Sequence, residues 1–195
     1  MSKTRLYQGF VVALALLTAC ASSTRQESGD AGASWARPPF TPPVVPPTKP
    51  VALTPSTVDA FIVFASEAVG PDRTTMLAEL EKGVADPATR AALAEAVDRY
   101  WVVGGAIDVL YIMLCRLIST GRVDEAFPAL KVRILLELAP GSPAAENQMV
   151  SMETVACLRS ADARAFTQER ASTGDGSVVQ KTAKRQIESP ICEWL

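Results

Sequence analysis

Histidine is absent from this chain of 195 residues. Without it the chain cannot form a Ser-His-Asp triad, a Cys-His pair, an HExxH zinc motif or any other histidine-based metal site. Glycine-rich phosphate loops, GxGxxG motifs and CxxC motifs are also missing from the sequence, so nucleotide binding and thioredoxin-type chemistry have no support. We therefore expect no catalytic residues, no metal site and no cofactor.

The chain also lacks a block of basic residues. Its 19 Lys and Arg stand against 21 Asp and Glu, which gives a net charge of −2. The densest basic stretch, KTAKR at residues 181–185, is interpreted as the solvated face of a helix. Because binding to phosphates requires clustered cations, no nucleic-acid partner is expected.

Long apolar runs are missing as well, since a membrane-spanning helix needs about 20 apolar residues. The apolar run at residues 9–19 is shorter than that and follows Lys3 and Arg5, an arrangement typical of an export signal. Within the rest of the chain, residues 102–113 are the most apolar but contain Asp108. We interpret them as a core helix bent at the glycines 104–105, with a lipid-embedded helix as the alternative.

The export signal ends in LTAC, residues 17–20, which resembles the lipobox of bacterial lipoproteins. The resemblance covers only about the first twenty residues. It implies that residues 1–19 are a signal peptide, that the Cys20 thiol is diacylated with chains such as palmitate, and that these chains anchor the protein to a membrane of the bacterial cell envelope. Ala21 stands where an inner-membrane retention signal has aspartate, so the outer membrane is favoured. The alternative is ordinary secretion with cleavage after Ala21.

Residues 20–53 are predicted to form a disordered, proline-rich tether. Residues 21–37 are rich in Ser, Ala and Gly, and Pro-Pro pairs then recur at 38–39, 42–43 and 46–47. Such a run favours polyproline II, which makes it a semi-rigid stalk of roughly 40 Å. The alternative is a PxxP ligand for the groove of a partner.

Residues 54–195 are predicted to form an all-α bundle of five to seven helices. Thr54 with Pro55, and Asp86 with Pro87, have the pattern of helix starts, and a further helix is expected to run from residue 142 towards 166. No stretch shows sustained alternation of apolar and polar residues bounded by hairpin turns.

Residues 114–146 resemble the turn and second helix of a tetratricopeptide repeat. The resemblance rests on Gly121, on Ala126 and on LELAP at residues 136–140. It implies two helices packed as an antiparallel hairpin, although no second copy follows at a period near 34 residues.

The cysteines beyond Cys20 are Cys115, Cys157 and Cys192. In an oxidising compartment a disulfide is expected, and Cys157 with Cys192 is favoured because that pair ties down the C-terminal tail. Cys115 is then a buried free thiol. A bond between Cys115 and Cys157 is the alternative, since sequence does not fix connectivity.

These observations favour a membrane-anchored lipoprotein without catalytic activity that binds or stabilises another envelope protein. Trp101 and Trp194 are the candidate contact residues, because aromatic side chains dominate many interfaces. One alternative is an enzyme that uses two carboxylates on cell-wall glycans. Another is a carrier with an apolar cavity near Val103, Ile107 and Leu110.

Overall fold

The computed structural model of the protein describes residues 50–101, 109–139 and 141–192. The chain divides into two units, residues 1–37 and 38–195, and every described residue belongs to the second. The predicted signal peptide, Cys20, and the tether as far as residue 49 lie outside the described residues. The same is true of the glycines 104–105, Asp108 and Trp194.

All regular structure in the described ranges is helical, which confirms the all-α prediction. Eight α-helices and one 3-10 turn (Asp124–Ala126) are present there, more than the five to seven helices expected. The helices are α1 (Val58–Glu67), α2 (Pro71–Val84), α3 (Pro87–Tyr100), α4 (Val109–Gly121), α5 (Phe127–Ile134), α6 (Ala144–Cys157), α7 (Ala161–Ser172) and α8 (Val178–Glu188).

The segment predicted as one helix from residue 142 to 166 is two helices, and this prediction was wrong. Leu158 ends α6 in an extended conformation, and the Ser160 hydroxyl then caps α7 by accepting a hydrogen bond from the Ala163 amide at 3.2 Å. A carboxylate oxygen of Asp124 accepts the amides of Arg159 and Ser160 at 2.8 and 3.1 Å. The break between the helices is therefore held by side chains that satisfy the exposed amides.

The predicted start of α3 is confirmed, whereas the predicted start of α1 is wrong. Asp86 accepts hydrogen bonds from the amides of Ala88 and Thr89 at 3.1 and 3.3 Å, and Pro87 is the first residue of α3, as the sequence predicts. Helix α1, in contrast, begins at Val58 rather than after Thr54. The Thr57 hydroxyl donates to the Ala52 carbonyl at 2.6 Å and holds the preceding residues in a turn.

The hydrophobic core is assembled around α6, which packs against α4, α5, α7 and α8, while α1, α2 and α3 pack on the other side of α4. Helix α5 packs mainly against α3 and α6 rather than against α4, so the hairpin implied by the tetratricopeptide resemblance is not formed. The largest fully buried apolar side chains are Phe61, Ile62, Met76, Leu80, Leu93, Leu114, Leu117, Ile118, Leu130 and Met152.

Leu53, which the sequence analysis assigned to the tether, is part of this core and only 4% exposed. It packs against Gly83 of α2 so closely that a Cβ atom on Gly83 would lie 2.7 Å from the Leu53 Cγ. A side chain at position 83 would therefore push the chain away from the domain at the point where it leaves the core.

Candidate functional site

The predicted disulfide between Cys157 and Cys192 is present, with 5.4 Å between the two Cα atoms. It ties the chain after α8 to the end of α6. Cys115 is the free cysteine of the described residues and is buried in α4, as expected. Burial raises the pKa of the Cys115 thiol to about 12, which keeps the thiol protonated and unreactive at neutral pH.

Trp101 is not available as an exposed contact residue, because its side chain is only 7% exposed. Its ring packs edge-on against Tyr111 with 5.4 Å between the ring centroids. Trp194 and two of the three residues around the expected apolar cavity, Val103 and Ile107, lie outside the described residues. Other described residues form two grooves.

The first groove is built by the early end of α5. Beyond Ile134 the chain continues without helical structure through residues 136–139. The side-chain amide of Gln148, on α6, donates to the carbonyls of Arg133 and Ile134 at 3.2 Å and to that of Leu136 at 2.7 Å. Carbonyls at a helix end need such partners, so Gln148 fixes the path by which the chain leaves α5.

We call this groove the loop-walled groove, because residues 135–139 form one of its walls. Its volume is about 520 Å³. Leu135 is 47% and Val178 36% exposed. The apolar residues of its lining are Ile134, Leu135, Leu136, Leu138, Ala139, Ala145, Val178 and Val179.

The wall of the loop-walled groove contains backbone that has no partner elsewhere in the described chain. Neither Glu137 nor Leu138 forms a backbone hydrogen bond with another described residue. An extended peptide bound alongside could pair with these groups while its side chains contact the leucines and valines.

Two carboxylates, Glu137 and Asp175, also line the loop-walled groove. Hydrogen bonds from Ser177 hold the pKa of the Asp175 carboxyl below its ordinary value, and its Oδ1 accepts the Ser177 amide at 2.8 Å. A general acid for glycoside cleavage needs the opposite shift. Arg170, on the same groove, forms an ion pair with Glu169 and lies 5.5 Å from the centroid of the Phe166 ring.

The second groove lies between α4 and α6 and is bounded by Arg185 of α8 and by Ile191. We call it the helix-walled groove; its volume is about 390 Å³. Ile191 is held over it by the neighbouring disulfide and by a hydrogen bond from its amide to the Gln186 side chain at 3.0 Å. The residues that line it are Ile112, Cys115, Arg116, Met149, Val150, Glu153, Thr154, Arg185 and Ile191.

Three charged side chains share the helix-walled groove. Glu153 forms an ion pair with Arg185, and its side chain is only 11% exposed. Burial raises the pKa of the Glu153 carboxyl, although the guanidinium groups of Arg185 and Arg116 act in the opposite direction. Arg116 forms neither an ion pair nor a side-chain hydrogen bond with another described residue, but its charge acts on Glu153, so two guanidinium groups share one carboxylate in the described lining of the groove.

Neither Gln148 nor Arg116 stands out in the sequence as a binding residue. Both look like ordinary polar residues of amphipathic helices, and the residues that they lie near in the fold, Leu136 for Gln148 and Glu153 for Arg116, are 12 or more residues away along the chain. One signal was present: α6 carries the polar residues Asn147, Gln148, Ser151, Glu153 and Thr154 at positions spread around the helix. All five of these side chains are buried.

Further searches of the described ranges gave two negative results. No group of three or more Cys, Asp or Glu side chains there is placed to hold a metal ion. Among the helices of the same ranges, none is both long enough and apolar enough to cross a bilayer.

Comparison with known proteins found no similarity on which a function could be based. No protein family matches the chain, and neither a curated protein nor a solved structure is significantly similar to it. The function must therefore be argued from the two grooves and from the N-terminal sequence.

Proposed function

We propose that the protein is a non-catalytic lipoprotein of the bacterial cell envelope that binds an extended segment of another envelope protein in its loop-walled groove. The N-terminal LTAC sequence supports lipidation of Cys20, and Ala21 favours the outer membrane as its location. The proline-rich residues 38–50 support a stalk that carries the domain away from the membrane surface.

The observation that carries the proposal is the combination of apolar side chains with unpaired backbone in the loop-walled groove. Leu135 and Val178 are large apolar residues exposed at its rim. Glu137 and Leu138 offer backbone groups that lack partners within the described residues. Addition of a strand to such backbone supplies affinity through main-chain hydrogen bonds, and the apolar pockets beside it supply specificity.

Site-specific photocrosslinking in living cells tests this proposal with the native, lipidated full chain. The photoreactive residue is placed at Leu135 in one strain and at Val132 in the other. Val132 is a matched control because it is 56% exposed, lies on α5 and does not line the groove. We expect one envelope protein to be crosslinked from position 135 and not from position 132.

Two substitutions complete the test. Leu135→Asp is expected to weaken the recovered complex by about tenfold or more, because an exposed apolar side chain that would contact the bound segment is replaced by a charge. Val132→Asp, as the control, leaves the complex unchanged. Equal crosslinking from both positions, or a complex that resists Leu135→Asp, would contradict binding in this groove.

Lipidation is tested separately by growing cells with an alkyne-labelled fatty acid. We expect the label in the wild-type chain and its loss in Cys20→Ala, which would also leave the outer-membrane fraction. Incorporation of label that is unaffected by Cys20→Ala, or secretion of an unlabelled wild-type chain cleaved after Ala21, would contradict the lipoprotein assignment.

A further inference from the structure

The helix-walled groove has the chemistry of a site for an apolar chain that ends in an anion. Its floor and sides are formed by Ile112, Met149, Val150 and Ile191, and its volume of about 390 Å³ falls within the range of ligand pockets. Such a pocket typically combines an apolar lining with a small number of polar groups that fix the orientation of the ligand.

The walls of this groove offer almost nothing to a polypeptide. Arg116 and Glu153 belong to α4 and α6, and the backbone groups inside these helices are already paired within each helix. A peptide lying between them would lose the hydration of its own N–H and C=O groups without gaining partners, which is unfavourable. A hydrocarbon chain has no such groups, so the helical walls favour hydrocarbon over peptide.

The positive charge of the helix-walled groove favours a ligand whose polar end is an anion. Glu153 forms its ion pair with Arg185, and Arg116 adds a second positive charge close to the same carboxylate, so the described lining of the groove carries one more positive than negative charge. A guanidinium group binds a carboxylate through two parallel hydrogen bonds, and such bonds are stronger when water is excluded. A cationic or neutral head group would gain no comparable contact.

We propose that the helix-walled groove binds a single-chain fatty carboxylate, with its hydrocarbon along Ile112, Met149 and Val150 and its carboxylate on Arg116. The tail residue Ile191, fixed through the Cys157–Cys192 disulfide, covers one side of the chain. This site is separate from the loop-walled groove, so its failure would leave the proposed binding of an envelope protein untouched.

The test uses the full chain, reconstituted in nanodiscs, and a dodecanoate probe that carries a photoreactive diazirine and an alkyne. A matched probe has the same chain with a trimethylammonium head group. After irradiation, the labelled peptides are identified by mass spectrometry. We expect the carboxylate probe to label residues of α4 and α6 that line the groove, and the cationic probe to leave them unlabelled.

Three variants test the role of Arg116. Arg116→Gln is expected to reduce labelling of the groove by about tenfold, the effect of losing one strong charged contact. Arg116→Lys should retain a substantial part of the labelling, because it keeps the charge. Arg164→Gln removes an arginine from the exposed surface of α7, outside the groove, and should change nothing.

Circular dichroism and thermal unfolding of each variant establish that it is folded before labelling is compared. Labelling of folded Arg116→Gln at the wild-type level would overturn the proposal. So would equal labelling by the cationic probe, or crosslinks spread over the surface rather than confined to the groove.

Discussion

The two grooves of this domain differ in the state of the backbone that forms their walls. In the loop-walled groove, Glu137 and Leu138 have backbone groups with no partner among the described residues. In the helix-walled groove, the walls belong to α4 and α6, whose backbone is paired internally. From this difference we expect the loop-walled groove to favour a peptide and the helix-walled groove to favour a hydrocarbon.

Helix α6 separates the two grooves and contributes to both. Gln148 lines the loop-walled groove, whereas the neighbouring Met149 and Val150 line the helix-walled groove. One helix with polar side chains on several of its sides thus positions a loop on one side and holds a buried carboxylate, Glu153, on another.

The largest expected loss of stability follows removal of the disulfide between Cys157 and Cys192. Of the two grooves, this bond supports only the helix-walled groove. Cys157→Ser combined with Cys192→Ser releases the tail that carries Ile191. With a separation of 35 residues, the loss of the crosslink should lower the free energy of unfolding by about 3–4 kcal/mol on the chain-entropy account. Denaturant unfolding followed by circular dichroism measures this change.

The same double variant sharpens the comparison between the grooves. We expect labelling by the fatty-acid probe to fall and crosslinking from Leu135 to persist. Addition of a reductant should destabilise the wild-type protein in the same way and leave the variant unaffected. Equal stability of variant and wild type in oxidising buffer would show that the bond contributes nothing.

An intermediate loss of stability is expected when the wall of the loop-walled groove loses the hydrogen bonds that Gln148 donates to it. Gln148→Leu keeps the size of the side chain but removes the donor for the carbonyls of Ile134 and Leu136. Leaving buried acceptors unpaired costs about 1–3 kcal/mol. Hydrogen exchange of the Leu135 and Leu136 amides, which donate to the carbonyls of Lys131 and Arg133, should accelerate, while that of α4 should not change.

Gln168→Leu is the matched control for this substitution. Gln168 lies on the exposed surface of α7, and its side chain supports neither groove. The control should leave exchange of the Leu135 and Leu136 amides at the wild-type rate. Equal protection of these amides in Gln148→Leu would mean that other contacts hold the loop.

The smallest change in stability is expected from ionisation of the Cys115 thiol, which lies on the floor of the helix-walled groove. Its pKa is about 12 in the folded protein, so a thiol reagent at pH 8 should not modify it until the protein unfolds. The unfolded thiol ionises at a lower pH and releases its proton first. Its contribution to stability is therefore present at neutral pH and is lost as the pH rises towards 12.

Alkylation with iodoacetamide, followed by mass spectrometry, measures the reactivity of the Cys115 thiol in the native protein. Denaturant unfolding between pH 8 and 10 measures how the free energy of unfolding changes with pH. The control is the same reaction in denaturant, where Cys115 should be modified completely. Rapid modification of the native protein at pH 8 would show that the floor of the groove opens to solvent.

The features that local sequence predicts are those determined by neighbouring residues. Asp86 and Pro87 predict the start of α3 because a side-chain acceptor and a fixed φ angle act within one helical turn. The start predicted at Thr54 and Pro55 was wrong, because the hydroxyl of Thr57 bonds back to Ala52 and delays the helix.

The grooves could not be predicted, because each depends on contacts between distant residues. Helix α5 ends at Ile134, whose carbonyl accepts a hydrogen bond from the Gln148 side chain. No periodicity in the sequence predicts this hydrogen bond. Arg116 and Glu153 line the same groove only because α4 packs on α6. The bond between Cys157 and Cys192 was favoured because it ties down the C-terminal tail, although the cysteine spacing alone left Cys115 with Cys157 as an alternative.

The contact between Leu53 and Gly83 also has a mechanical consequence. Tension applied to the chain from the N-terminal side of residue 50 reaches the domain at a buried leucine wedged against a helix backbone. The hydrogen bond from the Thr57 hydroxyl to the Ala52 carbonyl joins the chain before that leucine to the chain after it. A pulling force on the N-terminal side must therefore dislodge a core residue before it can unravel α1, so the domain should resist tension applied at this end.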